Sequence, residues 1–364
     1  MNPAALIPTP DAISVPWGWF YVLLMVTFLL HILVMNAMLG GGIIALISSF
    51  RGGDQNTLLS KEFGYKWPYT IAFAVNMGVA PLLFMQVLYG QFIYSSSVLM
   101  AVWWFSIFGL LILAYYGAYI YDFKFEALGS SRIFILGFSV ICLLYIGFLF
   151  SNNMTLMMHP EKWQAYFNNP GGTLLNLSDP SLLPRYLHFV VGSVAVAGLF
   201  LALVGHFHFT KSSVDREALI TKGMTYFTYA TVIQILIGCW FLMALPKQVM
   251  MVFMGGSAYG TGLLLLGIIL GIVVIYFGYK KRLIMTSIIT LVTIIVMIFI
   301  RDLVRIAYLE PYFQLSDLVV EPEYSPLIFF LVTFVLGLVL VGYLLKLAFG
   351  CRKEVTKWII QSGI

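Results

Sequence analysis

Residues 17–48 read WGWFYVLLMVTFLLHILVMNAMLGGGIIALIS, a run that contains no Asp, Glu, Lys or Arg. About 20 consecutive apolar residues are enough for a helix to cross the hydrocarbon core of a bilayer. This run therefore predicts a membrane-spanning helix. Because it is longer than the core is thick, we expect the helix to tilt or to protrude from the membrane.

The composition extends this interpretation to all 364 residues of the chain. Hydrophobic residues make up 61% of the sequence and charged residues only 10%, whereas soluble domains carry about 25% charged residues. A soluble fold of this length could not bury so much apolar surface, so the composition excludes a soluble enzyme. We expect lipid around the chain and no nucleic-acid partner.

Further apolar runs of spanning length follow the first, separated by short polar segments. We therefore predict an all-α, polytopic membrane helical bundle of about nine transmembrane helices. The predicted spans are residues 17–48, 68–96, 99–121, 132–151, 186–209, 224–245, 259–279, 283–304 and 326–349. No linker, repeat or low-complexity tract divides the sequence, so residues 1–364 are interpreted as one membrane domain.

The positive charges are distributed unevenly between the two ends of the predicted bundle. If the N-terminus lies outside, 15 of the 20 Lys and Arg residues fall on the inner side. Cytoplasmic loops carry the excess of positive charge in membrane proteins. The pattern predicts an N-terminus outside, a cytoplasmic C-terminus and a bacterial inner (cytoplasmic) membrane.

The three cysteines are far apart in the sequence and form no CxxC or CxxCH pair. This spacing argues against a covalently attached c-type haem, a thiolate metal site or a disulfide scaffold in this chain.

Two histidines lie inside predicted spans, where ionisable side chains are costly and usually functional. His31 is in the middle of the first span, and His188 opens the fifth span three residues after Arg185. An imidazole can ligate haem iron, and a guanidinium can pair with a haem propionate. For His31, a hydrogen bond to a neighbouring helix is an equally good explanation, and both interpretations stay open.

The remaining three histidines lie at span ends or in loops. His206 is five helical turns from His188 and on the same face, a spacing that could mark haems on opposite sides of the membrane. His206 and His208 point about 200° apart on a helix, so they cannot share one metal while helical. We favour interfacial packing for both, and we expect His159 to be a solvated loop residue.

A tight cluster of charges closes the eighth predicted span. Arg301 and Arg305 are four residues apart and share a helix face, and Asp302 lies between them. The cluster could clamp propionates or provide a weak haem ligand. A structural salt bridge at the membrane interface explains it equally well.

Two other groups of residues are weaker candidates for a site. Met251 and Met254 belong to a methionine cluster after the sixth span, and a thioether can ligate haem opposite a histidine, although most membrane methionines only pack. Gln86 and Tyr89 could line a quinone or haem pocket on the second span. Hydrogen bonds between helices are the more common reason for such residues.

Three stretches resemble subunit I of the cytochrome bd quinol oxidases. FLLHILVMNAMLGGG resembles the opening helix of that family, with His31 followed nine positions later by Gly40. KEFGYKWPYTIAFAVNMGVAPLLFMQVLYGQF resembles its second helix. NPGGTLLNLSDPSLLPRYLHFVVGSVAVAG ends in the Arg-aromatic-x-His signature that enters its fifth helix. The resemblance covers residues 17–245 and leaves residues 246–364 as a divergent three-helix remainder.

The resemblance implies roles for individual residues. His31 matches the axial ligand of the active-site haem. His188 matches one ligand of the low-spin b haem, whose partner would be Met254 or Met251. Asp302 and Arg305 stand in the place of a Glu-x-x-Arg stretch, which would make Asp302 a carboxylate ligand of a third haem.

Two departures from that family change the function that we predict. No Asp or Glu occurs between Glu62 and Asp122, so the third helix lacks the family's buried carboxylates. The segment after the sixth helix is also too short for the family's quinol loop. A divergent bd-like cytochrome that moves electrons therefore fits better than a terminal oxidase.

The prediction is a haem b-containing electron-transfer subunit of a respiratory complex, an oxidoreductase subunit with two or more haems. It would pass electrons between a membrane quinone, menaquinone or ubiquinone, and an external c-type cytochrome or other redox partner. Other membrane subunits are expected partners. The alternatives are an oxygen-reducing quinol oxidase of the bd type and a haem-free transporter or scaffold subunit.

Overall fold

The computed structural model describes residues 3–209 and 215–362, with side chains described up to residue 347. Within these ranges the chain is almost entirely helical and forms no β-strand. Nine of the described helices are long and apolar enough to cross a membrane. The all-α prediction is thereby confirmed, and the chain is a multi-pass helical membrane bundle.

We number the nine membrane helices in chain order. They are α1 (Trp17–Arg51), α2 (Asp54–Leu99), α3 (Ala101–Phe123), α4 (Arg132–Met157), α5 (Leu182–His206), α6 (Arg216–Ala244), α7 (Ala258–Tyr279), α8 (Leu283–Leu309) and α9 (Tyr324–Ser362). Consecutive helices run in opposite directions, so α1, α5 and α7 begin where α2, α4 and α8 end. We call this the N-terminal end of the bundle.

Several helices extend beyond the predicted spans. Helix α2 begins at Asp54, 14 residues before the predicted start, and α4 continues to Met157. Hydropathy detects only the apolar part of a helix, whereas the hydrogen-bonded backbone continues through polar residues. Tyr89 interrupts α2 with non-helical dihedral angles, φ −135° and ψ 32°.

Folded connections cover the N-terminal end of the bundle. Residues Pro160–Asn168 form a 3₁₀-helix after α4, and the Trp163 indole donates a hydrogen bond to the Leu156 carbonyl at 2.9 Å. A parallel bridge joins Ile13 to Val320, so the segment before α1 pairs with the segment before α9. These contacts fix the loops around the ends of α4, α5 and α8.

Helices α1 and α5 form the centre of the bundle. Helix α1 packs against α2, α4, α5 and α8, and α5 also packs against α6. The apolar window of α9, residues 324–347, has no residue buried inside the protein. This helix therefore presents its apolar surface outward.

The contact between α1 and α5 depends on Gly40. A Cβ atom added there would overlap the backbone carbonyl of Ser193, which cannot move without shifting α5. We expect Gly40→Leu to destabilise the protein by roughly 1–3 kcal/mol, the usual effect of overpacking a close contact. The measurement is thermal unfolding of the detergent-purified protein, followed by near-UV circular dichroism.

Gly109 on α3 provides the control, because no atom lies within 4 Å of a Cβ added there. Gly109→Leu should unfold at the wild-type temperature. Equal unfolding temperatures for the two leucine variants would contradict the proposed close contact.

Candidate functional site

Three arginine side chains converge on one small cavity at the N-terminal end of the bundle. The cavity measures about 10 Å³, which is room for about one water molecule. Helices α5 and α8 contribute the arginines, and the end of α4 contributes methionines. The lining residues are Arg185, Arg301, Arg305, Met154, Met157 and Met158. We call this the arginine cavity.

One of the three guanidinium groups has a carboxylate partner. Arg305 forms a buried ion pair with Asp302, and both residues are at most 4% exposed. The Tyr21 hydroxyl of α1 donates a hydrogen bond of 2.6 Å to the other carboxylate oxygen of Asp302. The salt bridge considered from the sequence is therefore present within α8. The hydrogen bond from Tyr21 connects this pair to α1.

Arg305 contacts α2 through two side chains. Its Nη1 lies 3.3 Å from the Met85 sulfur, and its Cζ lies 4.4 Å from the centre of the Tyr89 ring. The Tyr89 hydroxyl is buried and lies close to the Arg305 side chain. Tyr89 thus contacts Arg305 behind the arginine cavity, and neither Tyr89 nor the half-buried Gln86 lines it.

The other two guanidinium groups have no ion-pair partner in the described part of the chain. Arg185 has a buried Nε and Nη2 without hydrogen bonds, and its Cζ lies 4.9 Å from the centre of the Phe241 ring. The Arg301 guanidinium lies 4.3 Å from the Phe28 ring centre and 3.9 Å from the Met154 sulfur. Buried charges are normally paired, so the arginine cavity is suited to an anion.

His31 has its imidazole fixed by a hydrogen bond. The Nδ1 atom lies 3.0 Å from the Ala74 carbonyl of α2, and a carbonyl can only accept, so Nδ1 carries the proton. The Nε2 lone pair is then available to a metal, the usual arrangement of a ligating histidine. The Phe28 ring lies 6.5 Å from the imidazole and also contacts Arg301. The bond to a neighbouring helix therefore fits both interpretations of His31.

His188 faces the neighbouring helix α6. Its imidazole is buried beside the Gln234 backbone of α6, and a Cβ added at Gly238 would lie 3.3 Å from its Cε1. Arg185 precedes His188 by three residues, so both side chains lie on the same helix face. Neither histidine lines the arginine cavity itself. His188 lies one helical turn after Arg185, and His31 and Arg301 both contact the Phe28 ring.

The methionines proposed as haem ligands lie apart from this arrangement. Met251 is 41% exposed and Met254 is 55% exposed. Met254 sits in a π-helical turn, Val252–Gly256, that deviates from helical geometry. Neither methionine lines the arginine cavity. The methionines beside the arginines come instead from α2 and α4.

The histidines outside the spans divide into two groups. His206 and His208 are exposed at the far end of α5. His159 has a side chain only 13% exposed, with Nδ1 3.4 Å from the Asp179 carboxylate and 2.8 Å from the Thr155 carbonyl. The prediction of a solvated loop histidine is wrong, because the folded loop after α4 buries His159 against Asp179.

Sequence reasoning missed several residues beside the arginine cavity, among them Tyr21, Phe28, Met85 and Met154. Phe28 precedes His31 by three residues, so the shared helix face was a readable signal. The methionines gave no such signal, because methionine is common in membrane helices. Within the described ranges, no three His, Cys, Asp or Glu side chains cluster as a metal site. His31 and His188 remain the candidate ligands.

Comparison with known proteins adds information about the fold. No family model and no curated protein sequence matches the chain. Among solved structures, the chain is similar to one described as the structure of bd oxidase from Geobacillus thermodenitrificans. The TM-score is 0.69 at 11% sequence identity, over 91% of this chain and 97% of that chain.

The fold is similar to that of a bd oxidase chain. The two chains are of similar length, since nearly all of each is covered. The likeness in fold extends over more of the chain than the resemblance in sequence, which stops at residue 245. At this level of identity the comparison concerns the helical architecture.

Proposed function

We propose that this chain is a haem b-binding electron-transfer subunit of a respiratory membrane complex. It passes electrons between a membrane quinone and an external c-type cytochrome or partner subunit. One observation carries the proposal: the guanidinium groups of Arg185 and Arg301, which have no carboxylate partner in the described part of the chain, converge on one cavity. His188 lies one helical turn after Arg185, and His31 and Arg301 both contact the Phe28 ring. The bd-like fold supports a redox role for such a bundle.

The chemistry of the side chains fits a haem. Its two propionates would accept hydrogen bonds from Arg185 and Arg301, whose guanidinium groups have no carboxylate of their own. Its iron would take the Nε2 of His31 or a nitrogen of His188. Because the arginine cavity itself holds only about 10 Å³, lining side chains must turn aside. Methionine has the flexibility to do so.

Haem iron supplies one-electron transfer when it is bound. The protein supplies orientation and charge. The Ala74 carbonyl holds the His31 imidazole in one tautomer, and the Asp302–Arg305 pair fixes the end of α8. Arg185 and Arg301 would neutralise the propionate carboxylates of a bound haem. A quinone carbonyl oxygen near Tyr89 would accept a hydrogen bond from the Tyr89 hydroxyl, with menaquinone or ubiquinone as the expected quinone.

The test is a pyridine haemochromogen spectrum of the purified protein, combined with a reduced-minus-oxidised spectrum. We expect a b-type spectrum and two or more haems per chain. A folded protein without any haem signal would overturn the proposal and would identify the chain as a haem-free transporter or scaffold subunit.

The likeness to a bd oxidase chain supports a second candidate, an oxygen-reducing quinol oxidase. Oxygen uptake by the isolated complex with a quinol analogue distinguishes the two functions. Absence of uptake in a preparation that retains its haem excludes the oxidase.

A further inference from the structure

Three consecutive cations form the turn between α7 and α8. Lys280, Lys281 and Arg282 are the residues that connect Tyr279, where α7 ends, to Leu283, where α8 begins. All three are exposed, and they lie at the end of the bundle opposite the arginine cavity. We call these three residues the cationic turn.

The cationic turn has no carboxylate partner nearby. The sequence contains no Asp or Glu between Glu217 and Asp302, and within the described ranges none of the three cations takes part in an ion pair. On the neighbouring helix α6, Thr228 packs against Gly278, and Glu217 lies about 16 Å along the helix axis from Thr228. The three charges are therefore available to an anion from outside the chain.

Lys281 adopts a backbone conformation that is unfavourable for lysine. Its φ is 52°, in the left-handed region that glycine usually occupies at the end of a helix. The Lys281 N–H donates to the Gly278 carbonyl at 3.0 Å, and the Arg282 N–H donates to the Phe277 carbonyl at 3.0 Å. These two bonds are those of a Schellman motif with lysine in the glycine position. A glycine would avoid the strain, so the lysine at this position indicates a use for its side chain.

Packing holds the cationic turn in place. Leu283, the residue after the turn, is buried in a cluster with Leu199 of α5 and Phe227 of α6. On the other side of the turn, a Cβ atom added at Gly278 would lie 2.7 Å from the Thr228 hydroxyl oxygen. The backbone that carries the three cations is thus fixed before any ligand binds, which lowers the entropy cost of binding.

The surface next to the cationic turn is apolar and aromatic. Tyr276 and Tyr279 of α7 and Ile284 and Ile288 of α8 are exposed, and the Lys280 Nζ lies 6.0 Å from the centre of the Tyr276 ring. Tyrosine is enriched where a membrane helix meets the lipid headgroups. The turn therefore combines positive charge at headgroup level with apolar surface at the level of the acyl chains.

We propose that the cationic turn binds the phosphate of an anionic phospholipid, whose acyl chains lie against the exposed residues of α7 and α8. The three cations donate charge-assisted hydrogen bonds to the phosphate oxygens, and the first turn of α8 adds the positive end of its helix dipole. The general excess of Lys and Arg in cytoplasmic loops accounts for cations at this end. It does not account for a lysine in a glycine conformation. The site does not depend on the proposed function, because it involves no haem.

Native mass spectrometry of the detergent-purified protein measures this binding. Titration with dioleoyl phosphatidylglycerol should reveal one preferred molecule per chain, bound at least about tenfold more tightly than dioleoyl phosphatidylcholine, which has the same chains but no net charge. A triple variant, Lys280→Gln, Lys281→Gln and Arg282→Gln, should lose this preference. Equal affinities of the wild-type protein for the two lipids would overturn the proposal.

The matched control removes three exposed cations from separate helices at the same end of the bundle: Arg51→Gln, Lys124→Gln and Arg216→Gln. This variant changes the net charge by the same amount, and it should keep the preference for phosphatidylglycerol. The same loss in both triple variants would mean that the overall surface charge attracts the lipid, and the assignment to the cationic turn would then fail.

Two further measurements test the lysine and the lipid separately. Lys281→Gly should unfold at a higher temperature than the wild type in lipid-free detergent, because glycine adopts this φ without strain, and it should bind phosphatidylglycerol more weakly. A gain in stability with unchanged lipid affinity would refute the role of Lys281. Phosphatidylglycerol should raise the unfolding temperature of the wild type, whereas inorganic phosphate should not. Equal stabilisation by inorganic phosphate would identify a free-phosphate site and refute the lipid.

Discussion

Replacement of His188 by alanine is expected to remove at least one haem from each chain. The imidazole of His188 lies on the same helix face as Arg185 and is buried against α6. Without the iron–imidazole bond, the two arginines would hold only the propionates, which is too weak for retention during purification. Haem content and the reduced-minus-oxidised spectrum measure the effect. His31→Ala should remove a haem in the same way.

His206 is the matched control, because it lies on α5 but is exposed at the other end of the bundle. His206→Ala should keep the wild-type spectrum and haem content. Near-UV circular dichroism verifies that the variants fold. If folded His188→Ala and His31→Ala both retain the full haem content, the ligand assignment fails even if the protein is a cytochrome.

Replacement of Asp302 by alanine is expected to cause the largest loss of stability. Asp302 is 2% exposed and pairs with Arg305, beside two further arginines of the same cavity. Removing one partner of a buried ion pair typically costs about 3–5 kcal/mol, because the other charge stays buried and unpaired. Denaturant or thermal unfolding in detergent measures the change.

A double variant separates the charge from the packing. Asp302→Ala combined with Arg305→Met removes both charges of the pair, and it should recover a large part of the lost stability. Glu126→Ala removes an exposed ion pair and should change stability by less than about 1 kcal/mol. A double variant as unstable as Asp302→Ala alone would show that lost packing, and not an uncompensated charge, causes the effect.

The sequence by itself determined the helices and their number in the described ranges. In lipid, the backbone N–H and C=O groups of each apolar run must find hydrogen-bond partners within the protein, and a helix provides those partners within the run itself. The apolar runs also singled out His31 and His188, since an ionisable side chain inside a membrane span is costly and is usually functional. Hydropathy predicted the helix ends poorly, as at Asp54 of α2, because polar residues can continue a helix without contributing to hydropathy.

Only the tertiary structure decided which of these residues meet. Arg185 and Arg301 belong to helices α5 and α8, and nothing in either run predicts that both line one cavity. Side-chain neighbours across helices depend on how ridges and small residues such as Gly40 interlock, which apolar periodicity does not encode. For the same reason, packing placed Met85 and Met154 beside the arginines, left Met254 exposed, and buried His159 against Asp179.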